Sequence, residues 1–267
     1  MELDAFPWGS RTLLVGILNV TPDSFAGDGV IDVAQAVAMA KQMVRDGADI
    51  IDIGGESTRP GFNPVSPEVE LQRVLPVIES ITENLPQTPI SIDTTKPAVA
   101  LAALDAGVSM LNDINGLQGD PALADVAAAR DAWVIAMHNQ RHRSPATDPV
   151  ATVLNGFRES LAIAGRHGVD HERMILDPGF GFGWELSENA EILRRLSELR
   201  VLRCPILVGM SRKRMTGEQF GWGVEQRLEG SAAVTALAVA NGADLVRVHD
   251  VAEMARVVRM ADDIVRQ

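Results

Sequence analysis

Residues 46–61 read Asp46-Gly47-Ala48-Asp49-Ile50-Ile51-Asp52-Ile53-Gly54-Gly55-Glu56-Ser57-Thr58-Arg59-Pro60-Gly61. The segment opens on a glycine turn that closes an amphipathic pattern over 33–46, as a helix C-cap requires. A short β-branched run at 50–53 comes next, and then a long polar loop ending at Ser66-Pro67, a helix start signal. Helix end, tight turn, strand and long loop form one βαβ repeat. The same tight turn recurs at Ala106-Gly107-Val108 and at Asn241-Gly242-Ala243-Asp244.

Working outward, short apolar runs fall at 13–18, 50–53, 90–92, 110–111, 133–137, 174–176, 206–208 and 245–248. Helical patterns separate them at 33–46, 67–84, 96–106, 121–130, 149–167, 187–199, 228–240 and 251–266. Ser187, two residues ahead of Asn189, marks the start of the sixth helix. The fourth run is too short to stand on periodicity and is placed by the repeat. Strands alternating with helices predict a parallel sheet. Eight such units in about 250 residues favour an α/β fold of the (β/α)8 TIM barrel type, a single domain over 1–267. An open doubly wound sheet would carry Gly-x-Gly-x-x-Gly after its first strand, and none is present. The strand-to-helix loops at 19–32, 54–66, 138–148 and 211–227 are long and polar, so the working face lies at the carboxyl ends of the strands.

Composition narrows the function classes. Hydrophobic residues make up 46% of 267 and aromatics only 4%, with no Tyr, so Ala, Val, Leu and Ile build the core. A net charge of −12 argues against a nucleic-acid partner, which needs a basic face. It leaves room for small anions, because a local cluster of Arg and Lys can set the sign inside a cleft. The single cysteine, Cys204, rules out an internal disulfide and a multi-thiolate zinc site. It reads as a structural thiol, with no activating His or helix start in its vicinity. No run approaches the ~20 apolar residues that cross a bilayer, and residues 1–9 lack a signal-peptide pattern, so a soluble, cytoplasmic protein without membrane contact is expected.

The residues that end the strands make an unusual set: Asn19, then Glu56 with Thr58 and Arg59, Asp93, Asn112 with Asp113, His138, Asp177, Ser211-Arg212-Lys213, and Arg247 with His249. Any single Asp or Asn after a strand commonly caps the next helix, the reading given to Asp113 and Asp250. Capping does not call for Arg247 and His249 at a barrel mouth that also holds Arg59 and Lys213. The cations, with Asn19, suit phosphate or diphosphate. Asp93, Asn112 and Asp177 suit a flat heterocycle bearing several N–H donors, since a carboxylate accepts two parallel hydrogen bonds from an amidine-like edge. In Gly179-Phe180-Gly181-Phe182-Gly183, at least one Phe is expected to stack on a ligand. His138 reads as a buried, hydrogen-bonded histidine. His142 and Arg143 read as solvated, and Glu188 and Glu191 as an exposed helix face.

Several segments carry a family resemblance. Gly16-Ile17-Leu18-Asn19-Val20-Thr21-Pro22-Asp23-Ser24-Phe25 and Asp52-Ile53-Gly54-Gly55-Glu56-Ser57-Thr58-Arg59-Pro60-Gly61 resemble two signatures of the dihydropteroate synthases. Ser91-Ile92-Asp93-Thr94, Asn112-Asp113-Ile114, the run from Asp177 to Gly183, Ser211-Arg212-Lys213 and Arg247-Val248-His249-Asp250 are similar to others, in family order. The resemblance implies an enzyme that joins a pterin diphosphate to p-aminobenzoate. It implies a pterin pocket of Asp93, Asn112, Asp177 and Lys213, and a diphosphate site of Asn19, Thr58, Arg59, Arg247 and His249 with Mg²⁺ beside Asn19. It places p-aminobenzoate against Phe25, Pro60, Phe182, Lys213 and Arg214, and implies a homodimer through the last helices. Asp93, Lys213, Arg247 and His249 are the expected catalytic set, with Asp93 stabilising a pterin methylene cation.

Trp184 departs from the family, which usually carries Lys there. Either it packs outside the site or it covers p-aminobenzoate. Two rival functions stay open at this point: a pterin-binding methyltransferase domain using methyltetrahydrofolate, and a non-catalytic pterin-binding barrel.

Overall fold

The computed structural model describes residues 8–21, 32–57, 64–141, 143 and 146–266. Strands and helices alternate throughout: β1 (Leu13–Asn19), α1 (Val33–Arg45), β2 (Ile50–Gly54), α2 (Pro67–Asn84), β3 (Ile90–Asp93), α3 (Pro97–Asp105), β4 (Met110–Asp113), α4 (Ala122–Ala129), β5 (Trp133–Met137), α5 (Pro149–Arg166), β6 (Met174–Asp177), α6 (Leu186–Arg194), β7 (Leu207–Val208), α7 (Leu228–Ala240), β8 (Leu245–Val248) and α8 (Val251–Val265). All pairings are parallel, in the order β6-β5-β4-β3-β2-β1-β8-β7. A parallel bridge from Leu176 to Ile206 brings β6 beside β7 and closes the barrel.

The glycine turns behave as the sequence predicts. Gly47, Gly107 and Gly242 take φ of 109°, 100° and 96°, a region that residues with a Cβ avoid. Ser66 caps α2 by accepting from the Val69 N–H. The sixth helix begins differently. Glu185 is its N-cap and Ser187 lies inside the first turn, while Glu188 reaches back to the Glu185 N–H at 2.8 Å. The pattern expected over 187–199 divides into α6 and a 3-10 helix, Leu196–Leu202.

Two apolar layers hold the barrel. The larger lies between strands and helices, and the smaller fills the barrel axis with Leu13, Val15, Ile50, Met110, Trp133, Ile135, Ile175, Leu207 and Leu245. Side chains alternate along a strand, so residues two positions on from this plug face the same interior. Ile50 leads to Asp52, Met110 to Asn112, Ile175 to Asp177, Leu207 to Gly209 and Leu245 to Arg247. The register places Gly54 beside Asp93, Asp93 beside Asn112 and Met137 beside Asp177. Apolar packing fills one half of the axis, and the other half is polar.

Cys204 is buried and holds a structural position, but a histidine does stand next to it. The His171 Nε2 is 3.4 Å from its sulfur. Burial pushes the thiol up to about 11, so it stays protonated despite that neighbour.

Candidate active site

The polar half of the barrel is organised around Asp52, which is fully buried. Its carboxylate accepts from Arg247 Nε at 2.6 Å, from the Ser91 hydroxyl, and more weakly from Asn112 Nδ2 at 3.3 Å. Arg247 Nη2 donates to Asp93 Oδ2 at 2.8 Å. One guanidinium thus spans the acids of β2 and β3, and through Asp52 it is linked to Asn112 on β4. Burial opposes the charge on Arg247, but Asp52 and Asp93 outweigh that and hold it above its ordinary range. Burial also pushes Asp93 up to about 7, with Arg247 pulling against the rise and Asp52 adding to it.

Asp177 and Lys213 face each other across Gly209. A Cβ placed on Gly209 would lie 3.9 Å from Asp177 Oδ2 and 3.9 Å from Lys213 Nζ. The glycine therefore leaves space bounded by an acid and a cation. Asp177 Oδ1 accepts the Gly179 N–H at 2.8 Å, which fixes the carboxylate. Burial raises its pKa, and Lys213 opposes the rise. Burial lowers Lys213 to about 8 against the pull of Asp177, while Arg247 and Arg141 add to the fall. The ammonium donates to Phe180 O at 2.7 Å and lies 4.7 Å from the centre of the Phe182 ring.

Asn19 ends β1 in the same mouth. A Cβ on Gly54 would stand 3.9 Å from both Asn19 Oδ1 and Asp93 Oδ2, so the two oxygens border one gap. His249 comes directly after β8, and its backbone N–H and Nδ1 each lie 3.2 Å from Ser211 Oγ. A cavity of about 840 Å³ opens at this end of the barrel, lined by Asp93, Lys213, Arg214, Arg141, Trp184 and Glu56 among others, whereas Asn19, Asn112, Asp177, Arg247 and His249 are not among the residues that line it. Glu56 accepts from Lys96 at 2.9 Å and from the Val65 N–H at 2.7 Å. Arg214 borders the cavity, with its guanidinium paired to Glu218. Phe25, Thr58, Arg59 and Pro60 lie outside the described residues, as does His142.

Asp93, Asn112, Asp177, Lys213 and Arg247 thus share one end of the barrel. The helix-capping reading of two acids divides. Asp113 accepts the N–H groups of Asn115 and Leu117 and shapes the turn after β4. Asp250 makes no side-chain cap and pairs with Arg212 instead. That pairing turns Arg212, at φ 58°, away from a direct role, while Lys213 next to it faces the acids. His138 is buried, with Nε2 3.0 Å from Gln140 Oε1. Burial lowers its pKa, so it stays neutral. Of the two Phe residues, Phe180 is core and Phe182 lies against the cations. Glu188 and Glu191 are half-buried, the latter paired to Arg194 and Arg195. Trp184 is buried at 6% exposure, stacked on His138 at 5.5 Å, with its N–H on Pro178 O at 3.1 Å. It packs against the glycine-rich loop and at the same time borders the cavity.

Three residues escaped the sequence reading. Asp52 and Ser91 sit inside strands and drew no role, although an acid in the middle of Ile50-Ile51-Asp52-Ile53 was a signal. Arg141 lies beyond the fifth strand in the long polar loop at 138–148 and drew no role. Its guanidinium carbon lies 4.4 Å from the centre of the Phe182 ring.

Comparison with known proteins bears on this geometry. Residues 15–249 match the family model described as pterin binding enzyme. The dihydropteroate synthase of Bacillus subtilis is 45% identical over 97% of this chain and 90% of its own. That of Escherichia coli is 43% identical over 95% and 92%. A Clostridium difficile dihydropteroate synthase solved in the presence of pteroic acid superposes with a TM-score of 0.95 at 47% identity, covering 98% of this chain and all of that one. A Xanthomonas albilineans dihydropteroate synthase solved with 4-aminobenzoic acid gives 0.90 at 41%, covering 96% and 94%. The chain belongs to the pterin-binding enzymes and, within them, to the dihydropteroate synthases.

Proposed function

We propose that this chain joins 6-hydroxymethyl-7,8-dihydropterin diphosphate to p-aminobenzoate, giving 7,8-dihydropteroate and diphosphate. The observation that carries it is the convergence of Asp177, Lys213, Asn112, Asp93 and Arg247 on the polar half of one barrel axis. The relatives' names agree, as does a Xanthomonas albilineans enzyme solved with 7,8-dihydropteroate. The methyltransferase alternative draws no support, since relatives 42–45% identical over nearly the whole chain are dihydropteroate synthases.

Each residue has a task that suits its chemistry. Asp177, already oriented by Gly179, accepts hydrogen bonds from the amino-pyrimidine edge of the pterin, with Asn112 and Lys213 completing the pocket. Arg247, His249 and Asn19, with Thr58 and Arg59 of the second loop, bind the diphosphate. The bond between the pterin methylene and the diphosphate oxygen breaks, its electron pair leaving with diphosphate. Asp93 faces the cation so formed and stabilises it as a carboxylate. The neutral arylamine then donates its lone pair to the methylene carbon and loses a proton to solvent.

Mg²⁺ suits this mouth. It prefers oxygen ligands, keeps several waters and borrows phosphate oxygens rather than using a full protein cage. Asn19 Oδ1, on the gap shared with Asp93, is a donor of that kind, and the described residues hold no cluster of three His, Cys, Asp or Glu that could grip a metal by themselves. Asn19 would hold the ion, whose chemistry is to neutralise charge on the departing diphosphate.

A homodimer belongs to the same proposal. Leu237 on α7 and Met260 and Ile264 on α8 are more than half exposed, an apolar surface suited to a second copy. A cytoplasmic location does too, supported by a single buried thiol that needs no oxidising compartment. No helix among the described residues is long and apolar enough to cross a membrane. The function is tested by diphosphate release from the pterin substrate. Release that requires both Mg²⁺ and p-aminobenzoate is expected. Release indifferent to p-aminobenzoate, or none at all, overturns the assignment.

A further inference from the structure

We infer that Lys96 and Glu56 are positioning residues, whose ion pair fixes both ends of the segment that carries Thr58 and Arg59 to the diphosphate. The inference rests on the proposed reaction and deepens it. Glu56 stands at the end of the second strand, yet its carboxylate is taken up by protein partners. One oxygen, Oε2, accepts from the Val65 N–H at 2.7 Å and from Lys96 Nζ at 2.9 Å. Glu56 comes two residues after the end of β2, and Val65 two residues ahead of the start of α2. A single carboxylate oxygen therefore ties the entry of this segment to its exit. The tie lies at the active site: Glu56, Ser57 and Pro64 all border the cavity. Thr58 and Arg59 follow Ser57 directly in the chain.

Lys96 anchors that oxygen to the barrel. It stands at the N-cap of α3, and its ammonium also donates to Glu70 Oε2 on α2 at 2.5 Å. Burial opposes the charge on Lys96, but the two carboxylates outweigh it and hold its pKa above the ordinary range. Glu70 is fully buried, and among the described residues its second oxygen has no hydrogen-bond partner. Such a carboxylate is a poor stabilising device, since replacing a buried ion pair by apolar residues often costs little. What Glu70 provides is a fixed point for the ammonium. The backbone at the entry is held as firmly. A Cβ on Gly55 would meet Val74 Cγ1 at 2.6 Å and Glu70 Cγ at 3.0 Å, and Arg73 Nη1 donates to Gly55 O at 2.8 Å. Entry, exit and α2 thus form one assembly, which Lys96 cross-links to the next βα unit. Holding a loop in its binding shape before the ligand arrives removes an ordering cost from binding. Thr58 and Arg59 serve the diphosphate, so the gain falls on that half of the substrate and not on the pterin ring.

The test is calorimetric titration, with Mg²⁺ present, of the pterin diphosphate and of 6-hydroxymethyl pterin. The proteins are wild type, Lys96→Met, Glu56→Ala and the double variant. Glu70 also raises the pKa of Asp93, so turnover would mix two effects. A ratio of two affinities cancels whatever a variant does to the pterin pocket. In Lys96→Met the preference for the diphosphate form is expected to fall at least tenfold, about 1.4 kcal/mol. Glu56→Ala falls as far and leaves Lys96 paired to Glu70, so it carries the test if Lys96→Met does not fold. The double variant loses no more than about twofold beyond either single one, because both act through one oxygen. A preference unchanged in a folded variant overturns the inference and leaves the reaction standing. So do two losses that multiply in the double variant. A wild-type chain that binds both ligands equally overturns the diphosphate site, and this inference with it.

Discussion

Replacing Asp52 with Asn removes one negative charge from the centre of the barrel without changing the volume of the side chain. In the native chain that carboxylate is fully buried and takes Arg247 Nε, the Ser91 hydroxyl and Asn112 Nδ2. The amide can still accept at one oxygen, but its NH₂ group faces donors, and among the described residues Arg247 keeps Asp93 alone as an ionic partner. Breaking a buried ion pair by removing one member costs about 3–5 kcal/mol, because the remaining charge is left underpaired. Arg247 is 20% exposed, so solvent recovers little of this. For a chain of this size that corresponds to a melting temperature lower by about 6–20 °C. Urea unfolding followed by circular dichroism measures it. A cycle with Arg247→Met adds a second number: the two positions should couple by about 1.5–3 kcal/mol. A loss under about 1 kcal/mol, on the scale of an exposed pair, would refute the placement of Asp52 as the hub of the site.

Asp93→Asn should lower turnover far more than pterin affinity, and turnover surviving within about threefold, under ~0.7 kcal/mol, would remove Asp93 from its role opposite the cation. The same residue gives a pH signature. Its folded pKa is raised from 3.8 to about 7, so the native chain binds more protons than the unfolded one between those values. Its contribution to stability is therefore present at low pH and lost as pH rises through about 7. Urea midpoints between pH 5 and pH 8 should fall further in wild type than in Asp93→Asn, and equal slopes would contradict the raised pKa. Trp184→Lys restores the residue usual in the family but removes a buried aromatic, at about 3–5 kcal/mol. An unchanged melting temperature would show that Trp184 does not pack as described. Gly209→Val places methyl groups in the space between Asp177 and Lys213 and should weaken pterin binding by at least about tenfold. Unaltered affinity, measured by calorimetry on folded protein, would move the pterin pocket elsewhere.

The barrel was legible because its periodicity is strong. Strand and helix limits lie close to those the apolar runs imply, with β4 the strand that grows most and α6 the helix that departs. Several strands extend beyond the apolar run because their last residue is polar yet still held in the ladder: Asn19, Asp93, Asp113 and Asp177 each end a strand. Asn19, Asp93 and Asp177 stand out in the sequence as the first polar positions after an apolar run, as Asn112 does just ahead of Asp113. Asp52 and Ser91 escaped because they lie within the runs, where alternation hides an inward polar residue behind two outward aliphatic ones. Ser187 misled because helix-capping propensity is local, whereas the start of α6 is set by Glu185 and Glu188. Arg141 escaped for another reason. A charged loop residue reads as solvated unless the loop against which it packs is known, and here that loop, 179–183, lies far along the chain.

The central claim is that a carboxylate pocket and a cationic pocket share one cavity, so that a single ligand engages both. Calorimetric titration of the pterin diphosphate against 6-hydroxymethyl pterin, both with Mg²⁺ present, measures this directly. At least a hundredfold tighter binding of the diphosphate form, about 2.7 kcal/mol, is the expected result. Equal affinity for the two ligands would contradict the claim, since the cations of the mouth would then contribute nothing to holding the substrate.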